Sequence, residues 1–240
     1  MKITYFDTLD STNKYLKENF SNLNNLDSVV AYHQTSGRGR LGRTWVDQDD
    51  LLMSILIKEG LENIYIERLS LLICHTIFRT IKEILRNNDV KIKWPNDILV
   101  DGKKICGILL EGVSSEKLDA VIIGFGVNVN SEKFSDDLII KATSLKLISK
   151  IKYDINELSK IIFNNFLEDY DKFLMGDNNY LRTCKDNSYL IGKIVSITEN
   201  DKTYLAKVVD ILENGHILLD INGSVYEKSS GEISLTDNYK

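Results

Sequence analysis

The hydrophobic pattern of the chain changes near Asp186, and this change constrains the fold more than any other feature of the sequence. Before it, short apolar runs alternate with two long segments, 67–87 and 156–174, whose apolar residues recur every three or four positions. That spacing predicts amphipathic helices. After it, short β-prone runs alternate with turn residues. We therefore predict two domains, 1–185 and 186–240.

The first predicted domain mixes strands and helices without strict strand–helix alternation, which indicates the α+β class. A short helix is predicted from residue 10, because residues 10–13 (DSTN) can all cap a helix. Asp101-Gly102 predicts a two-residue hairpin turn, and the polar stretch 131–142 predicts an irregular loop. The predicted strands are 28–33, 51–57, 90–94, 97–100, 103–111 and 117–127.

The second predicted domain is a small five-stranded β-barrel. Its strands correspond to the runs GKIVSITE, TYLAKVVDI, GHILLDI and GSVYEKS, followed by a short run that ends at Leu235. Asn214-Gly215 and Asn222-Gly223 are hairpin signals between these runs. Short, evenly spaced strands with turn signals are typical of a small barrel.

Composition excludes several classes of protein. Hydrophobic residues make up 43% of the chain and the net charge is −5, which fits a globular protein and argues against a dedicated nucleic-acid binder. No apolar run is long enough to span a membrane, and the N-terminus lacks a signal-peptide pattern. Three cysteines without CxxC spacing predict buried thiols in a reducing, cytoplasmic compartment.

The segment Gly37–Trp45, GRGRLGRTW, interleaves three glycines with three arginines. Glycine lets backbone N–H groups approach a ligand closely, and arginine binds anionic oxygens through a planar fork. The segment therefore predicts a loop that binds a phosphate and a carboxylate. A solvated basic turn, or a contact with a nucleic-acid backbone, is the alternative.

The segment 93–97, KWPND, places a lysine at the predicted end of a strand. Next to an arginine loop, Lys93 would neutralise a reacting carboxylate–phosphate pair. The chain's only proline, Pro95, ends the strand, and Asn96 and Asp97 can hold the turn or a metal-bound water. The alternative is an ordinary turn with an exposed lysine.

Glycines within two apolar strands suggest close approach by a ligand or another backbone. They are Gly107 and the glycines of 124–130 (GFGVNVN), where Asn128 could bind the polar edge of a base. A β-bulge is the alternative at Gly107. The sequence contains no nucleophile elbow, P-loop or HExxH motif. It therefore predicts a site that works by positioning and charge stabilisation, without an enzyme nucleophile.

Taken in order, these segments resemble the biotin–protein ligase family. The matching motifs cover nearly the whole chain, and GRGR…GR…W together with KWPND is highly specific. They are DSTN (10–13), Gln34 with GRGRLGRTW (37–45), KWPND (93–97), GKKICGILLE (102–111), GFGVNVN (124–130) and SGEISL (230–235).

The resemblance implies a two-step reaction and a fold. The biotin carboxylate attacks the α-phosphorus of ATP to give biotinyl-5′-adenylate and pyrophosphate, with Mg²⁺ expected on the nucleotide. A lysine of a biotin carboxyl carrier protein or domain then takes the biotinyl group. The implied catalytic domain is a mixed sheet flanked by helices, like that of class II aminoacyl-tRNA synthetases, followed by an SH3-like barrel.

The resemblance also implies roles for individual residues. Lys93, Arg38 and Arg40 would be catalytic, and no metal ligand is identified. Biotin would contact Ser11, Thr12, Asn13, Gln34, Gly37, Arg38, Gly39, Arg40, Lys93 and Gly107. The nucleotide would contact Arg40, Trp45, Asn96, Lys104 and Asn128.

Some members of this family also carry an N-terminal helix-turn-helix domain that binds DNA. Here the STN motif begins at residue 11, so we expect a monofunctional ligase without sequence-specific DNA binding. We also expect no membrane anchor, and the sequence leaves a homodimer open. A lipoate–protein ligase of the same fold, a nucleic-acid-binding module and a synthetase-like amino-acid ligase are the alternatives.

Overall fold

A computed structural model describes residues 1–45, 48–61, 66–114, 117–135, 138, 140–199, 202–229 and 233–235. Its helices are α1 (Thr12–Asn19), α2 (Ile66–Ile84), α3 (Leu145–Ser149), α4 (Ile155–Leu174) and α5 (Asn179–Asp186). The first seven strands are β1 (Ile3–Leu9), β2 (Ser28–Gln34), β3 (Leu51–Ile57), β4 (Val90–Lys93), β5 (Asp97–Val100), β6 (Lys103–Ser114) and β7 (Leu118–Val127). The last five are β8 (Ile194–Glu199), β9 (Lys202–Ile211), β10 (Ile217–Ile221), β11 (Ser224–Lys228) and β12 (Ile233–Leu235).

The first seven strands form one mixed sheet in the order β1-β2-β3-β7-β6-β5-β4. Only β1 and β2 run parallel among these pairs, and the other neighbours are antiparallel. β3 and β7 lie at the centre and are buried along their whole length or nearly so. A central strand that is covered on both faces reads as a continuous apolar run, which is why these two strands were easy to predict.

Helices cover both faces of this sheet. The side chains of α2 and α4 pack with one face into a large apolar core. On the other face, Leu16 of α1 packs against Val29, Leu56, Ala120 and Ile122 in a smaller cluster. The predicted α+β class, a mixed sheet flanked by helices, is confirmed.

The last five strands form an antiparallel sheet in the order β11-β10-β9-β8-β12. Their number agrees with the prediction. Asn222 and Gly223 adopt φ values of 54° and 86° between β10 and β11, the left-handed geometry that a tight two-residue hairpin requires. Within the described residues β11 and β12 are not paired with each other, so the sheet is open rather than a closed barrel.

Three elements were absent from the sequence-based prediction: β1, α3 and α5. β1 (ITYFDTL) alternates weakly and is buried only partly, because it lies at an edge of the sheet. Residues 230–232 of the SGEISL motif, and 136, 137 and 139 of the predicted 131–142 loop, lie outside the described residues. None of the described helices is long and apolar enough to cross a membrane.

Candidate active site

The floor of the candidate site is a strip of backbone on β6 and β7. Gly107 is paired with Gly126, and two residues further along Leu109 is paired with Gly124. A Cβ at Gly126 would lie 2.5 Å from Trp45 Cε2, one at Gly107 would lie 2.8 Å from Trp45 Cζ3, and one at Gly124 would overlap the Asn13 amide. The glycines therefore allow other groups to pack directly on the sheet.

One end of this strip holds a buried network of amides and hydroxyls. Ser11 caps α1 and accepts from Lys14 N, which brings the first turn of the helix over the sheet. Gln34 Oε1 accepts hydrogen bonds from Thr12 N at 2.7 Å and from Thr12 Oγ1 at 3.1 Å. Ser54 Oγ, on β3, lies 2.7 Å from Thr12 Oγ1 and 2.6 Å from Asn13 Oδ1.

Asn13 connects this network to β6. Its Nδ2 donates to Glu111 Oε2 at 2.8 Å and to Leu109 O at 3.3 Å. Because Ser54 holds Oδ1 and Glu111 holds Nδ2, the amide of Asn13 has a fixed orientation. Capping of α1 and the polar network are thus two consequences of the same SerThrAsn sequence.

The other end of the strip is cationic. Lys104 Nζ, on β6, forms an ion pair with Asp97 Oδ1 of β5 at 2.7 Å and lies 5.7 Å from the centre of the Trp45 ring. The Trp45 indole rests on Gly107 and Gly126, and its Nε1 is buried without a hydrogen bond among the described residues. The KWPND segment thus contributes a carboxylate that holds the lysine in place.

The KWPND segment also holds Arg40 of the glycine–arginine loop. Its Nη1 donates to Asn96 Oδ1 at 2.9 Å, and Asn96 Nδ2 donates to Ile108 O at 2.8 Å. Asn96 therefore joins the loop to β6. Two consecutive residues, Asn96 and Asp97, each hold one cation of the site.

The glycine–arginine loop folds back on itself above the strip. Gly39 N donates to Arg43 O at 2.7 Å, and Trp45 N donates to Gly37 O at 3.0 Å. A short 3₁₀ turn, Arg40–Gly42, lies at its tip. Gly37 requires the absence of a side chain, because a Cβ there would lie 2.5 Å from Trp45 O.

Two cavities adjoin each other at this loop. A small one of about 60 Å³ lies over the glycine strip, and a larger one of about 600 Å³ lies between the loop, Leu109 and Glu111. A cavity of the smaller size is below the range for a ligand of ten or more atoms. The Trp45 indole fills the space over Gly107 and Gly126, so a ligand at the strip must displace it.

The structure brings most of the predicted site residues together. The predicted residues that line the small cavity are Ser11, Thr12, Asn13, Gln34, Arg38, Gly39, Arg40, Trp45, Asn96, Lys104 and Gly107. Gly37 borders the larger cavity. Lys93 and Asn128 are not among the described lining residues of either cavity. Asn128 is buried, and its Nδ2 donates to Thr143 O at 3.0 Å.

Four apolar residues of the cavity wall were not predicted as site residues. They are Leu52, Ile108, Leu109 and Phe125. In sequence they belong to apolar runs that are indistinguishable from core, so the only available signal was their position beside the glycines of β6 and β7.

Fold and cavity together define a class of protein. The strip offers neutral donors and acceptors at one end and the cations Arg40 and Lys104 at the other, and Arg38 also lines the cavity. The strip spans two residues, so the two ends are about 7 Å apart. Such a site fits a small organic acid with a polar head, a nonpolar middle and a carboxylate or phosphate at the far end.

The comparisons with known proteins agree with this class. The model of the biotin/lipoate A/B protein ligase family matches residues 5–128. The chain is 32% identical over 241 residues to the bifunctional ligase/repressor BirA of Bacillus subtilis, covering 97% of this chain and 74% of that protein. The chain therefore belongs to the biotin/lipoate A/B protein ligase family, as the resemblance in sequence indicated.

A solved structure is similar over nearly the same length of the chain. The biotin protein ligase from Aquifex aeolicus in complex with biotin and ATP is 28% identical, with a TM-score of 0.86 and coverage of 98% of both chains. Among the curated sequences, a biotin–[acetyl-CoA-carboxylase] ligase of Mycobacterium tuberculosis is 24% identical over 93% of this chain and 85% of that protein. The likeness to the Aquifex structure includes the C-terminal sheet.

Proposed function

We propose that the protein activates biotin with ATP and transfers it to a lysine of a biotin carboxyl carrier protein or domain. The observation that carries this proposal is the glycine-floored strip, with the Thr12–Gln34 network at one end and Lys104 and Arg40 at the other. The solved Aquifex relative binds biotin and ATP, and several curated relatives are named as biotin ligases. This ligase activity is favoured over nucleic-acid binding.

The polar end of the strip fits the ureido ring of biotin. That ring carries one carbonyl acceptor and two N–H donors, and Thr12, Asn13 and Gln34 offer both kinds of partner. Leu52, Ile108 and Phe125 offer apolar walls for the sulfur ring and the chain. The dithiolane ring of lipoate has no comparable donor or acceptor, so lipoate would gain no hydrogen bonds from these groups, which disfavours it relative to biotin.

In the first step the biotin carboxylate attacks the α-phosphorus of ATP, and pyrophosphate leaves. Negative charge accumulates between the carboxylate and the phosphoryl oxygens, where fixed cations stabilise it most. We assign this role to Lys104 with Arg38 and Arg40, because all three line the cavity. Lys104 therefore takes the part that the resemblance implied for Lys93. Trp45 and Asn96 remain proposed nucleotide contacts. Asn128 donates to Thr143 O and lies outside the described lining of both cavities, so its contact with the nucleotide stays a prediction.

In the second step the amine of the acceptor lysine attacks the carbonyl carbon of the mixed anhydride. The tetrahedral oxyanion forms at the cationic end of the strip. The bond between the carbonyl carbon and the phosphate oxygen then breaks, so AMP leaves with all its P–O bonds intact and the amine loses a proton. The chain supplies no nucleophile of its own in either step, so positioning and charge stabilisation carry the catalysis.

Mg²⁺ fits this site as a companion of the nucleotide. No group of three or more potential ligands occurs among the described His, Cys, Asp and Glu residues. Mg²⁺ usually binds substrate phosphates with one or two carboxylates. Among the described lining residues of the larger cavity, Glu111 is the carboxylate that would approach Mg²⁺. Bound there, Mg²⁺ would neutralise phosphate charge.

The test is ATP–pyrophosphate exchange in the presence of biotin, with lipoate and amino acids as control substrates. Lys104→Ala and Arg40→Ala should each lower the exchange rate by a factor of about 10² or more, as removal of one charge-stabilising group does. Lys93→Ala should have a much smaller effect. Lys160→Ala, on the exposed side of α4, is the matched control. Exchange that depends on lipoate instead of biotin would overturn the proposed substrate.

A further inference from the structure

Trp94 connects the KWPND segment to the C-terminal sheet. It is 2% exposed, and its indole Nε1 donates a buried hydrogen bond of 2.9 Å to Gly215 O. Gly215 lies in the turn that precedes β10, 121 residues away along the chain. A buried indole N–H needs a partner, and this one is supplied by the other domain.

The turn around Gly215 is itself pressed against the first turn of α2. A Cβ at Gly215 would lie 3.0 Å from both Glu67 C and Glu67 Cβ, and the residue has a φ of 89°. Both features call for glycine here. The Gly215 carbonyl therefore has a defined position relative to the catalytic domain.

Hydrogen bonds from α2 and from β6 hold the two residues after Trp94. Ser70 Oγ of α2 donates to Pro95 O at 2.8 Å, and Ile108 N of β6 donates to Asn96 O at 2.9 Å. Asn96 then accepts from Arg40 Nη1, and Asp97 pairs with Lys104 Nζ. Trp94 is thus two and three residues away from the groups that hold the two cations.

We propose that Trp94 is a positioning residue, through which the Gly215 turn of the C-terminal sheet fixes the two cations Arg40 and Lys104 for adenylate formation. This inference rests on the proposed function. It assigns to the C-terminal sheet a part in the first chemical step, although none of the described residues of that sheet lines the small cavity.

The contact should affect the rate more than biotin binding. The Thr12–Gln34 network stands on α1, β2 and β3 and has no contact with Trp94 in the described hydrogen bonds. Loss of the Trp94–Gly215 bond would let Asn96 and Asp97 shift while the polar end stays intact. A displacement of about 1 Å in a charge-stabilising group can lower a rate by up to about 10².

The experiment uses Trp94→Phe, which keeps an aromatic ring but removes the donor, and Gly215→Ala, which disturbs the same contact from the other domain. Tyr170→Phe is the matched control, because it removes a buried hydroxyl that donates to Glu59 O at 2.7 Å, away from the site and from the Gly215 turn. Each variant is assayed by biotin-dependent exchange at a temperature where circular dichroism shows it to be folded. The sequence has two tryptophans, so in Trp94→Phe the fluorescence of Trp45 reports biotin binding separately.

We expect kcat for exchange to fall about tenfold in Trp94→Phe and in Gly215→Ala, with the biotin dissociation constant within about twofold of wild type and Tyr170→Phe unchanged. An unchanged kcat in folded Trp94→Phe overturns the inference. Equal losses of rate and biotin affinity, or an equal loss in Tyr170→Phe, also overturn it, because they indicate general destabilisation. If the wild-type protein shows no biotin-dependent exchange, the proposed function fails and the inference with it.

Discussion

At the scale of single residues, the site depends on glycines as much as on polar side chains. Gly107, Gly124 and Gly126 leave the sheet bare where Trp45 and Asn13 pack on it. Asn13 is held by Ser54 and Glu111, so its amide is oriented before any ligand arrives. Pre-oriented polar groups lose little entropy on binding, which favours recognition of a small ring.

Gly124→Ala tests this arrangement. The added methyl group would overlap Asn13 Oδ1, so the amide must leave its contact with Ser54. We expect the affinity for biotin to fall by about tenfold or more, measured by isothermal titration calorimetry, since a buried polar group is left unpaired. Gly112→Ala on β6 is the control, because its Cβ would meet only the Leu118 Cδ1 atom at 3.2 Å. Unchanged affinity in Gly124→Ala would exclude Asn13 from the ligand pocket.

At the scale of elements, α2 and α4 pack against each other on the face of the sheet opposite to α1. Asp169 of α4 is 6% exposed and accepts from Thr76 Oγ1 at 2.7 Å and Arg79 Nε at 3.1 Å, both on α2. Burial raises the pKa of Asp169, but the hydrogen bonds from His75 and Thr76 and the charge of Arg79 outweigh it and leave the pKa below its ordinary value of 3.8. The ionised carboxylate is therefore the form that joins the two helices.

A carboxyl group whose pKa is lower in the folded state stabilises the protein above its unfolded pKa, and this contribution disappears as the pH falls through the folded pKa. Asp169→Asn should lower the free energy of unfolding by about 2 kcal/mol at pH 7. The difference from wild type should shrink below a pH of about 4. Urea denaturation across this pH range measures it, with Asp171→Asn, exposed on the same helix, as control. A difference that stays constant down to pH 3 would contradict this role for Asp169.

At the scale of the whole molecule, the sequence predicted the fold class, most strands and most of the polar residues that line the small cavity. The central strands and long helices were predictable because burial leaves a continuous apolar run or a helical period. The edge strand β1 and the short helices α3 and α5 show neither pattern in the sequence. The structure adds that Lys104, and not Lys93, is among the described lining residues of the small cavity, and the roles of both lysines stay predictions. The division at residue 186, the lack of DNA binding, the cytoplasmic location and a homodimer stay predictions.

The central claim, that one site both forms the adenylate and passes biotin to a carrier lysine, is tested most directly in a single turnover. The protein is incubated with labelled biotin, ATP and Mg²⁺, freed of excess nucleotide, and mixed with a biotin carboxyl carrier domain. We predict release of AMP in an amount equal to the biotin that appears on the carrier. A carrier with its acceptor lysine changed to arginine should receive none. Failure to label the intact carrier, or equal labelling of the arginine variant, would contradict the account.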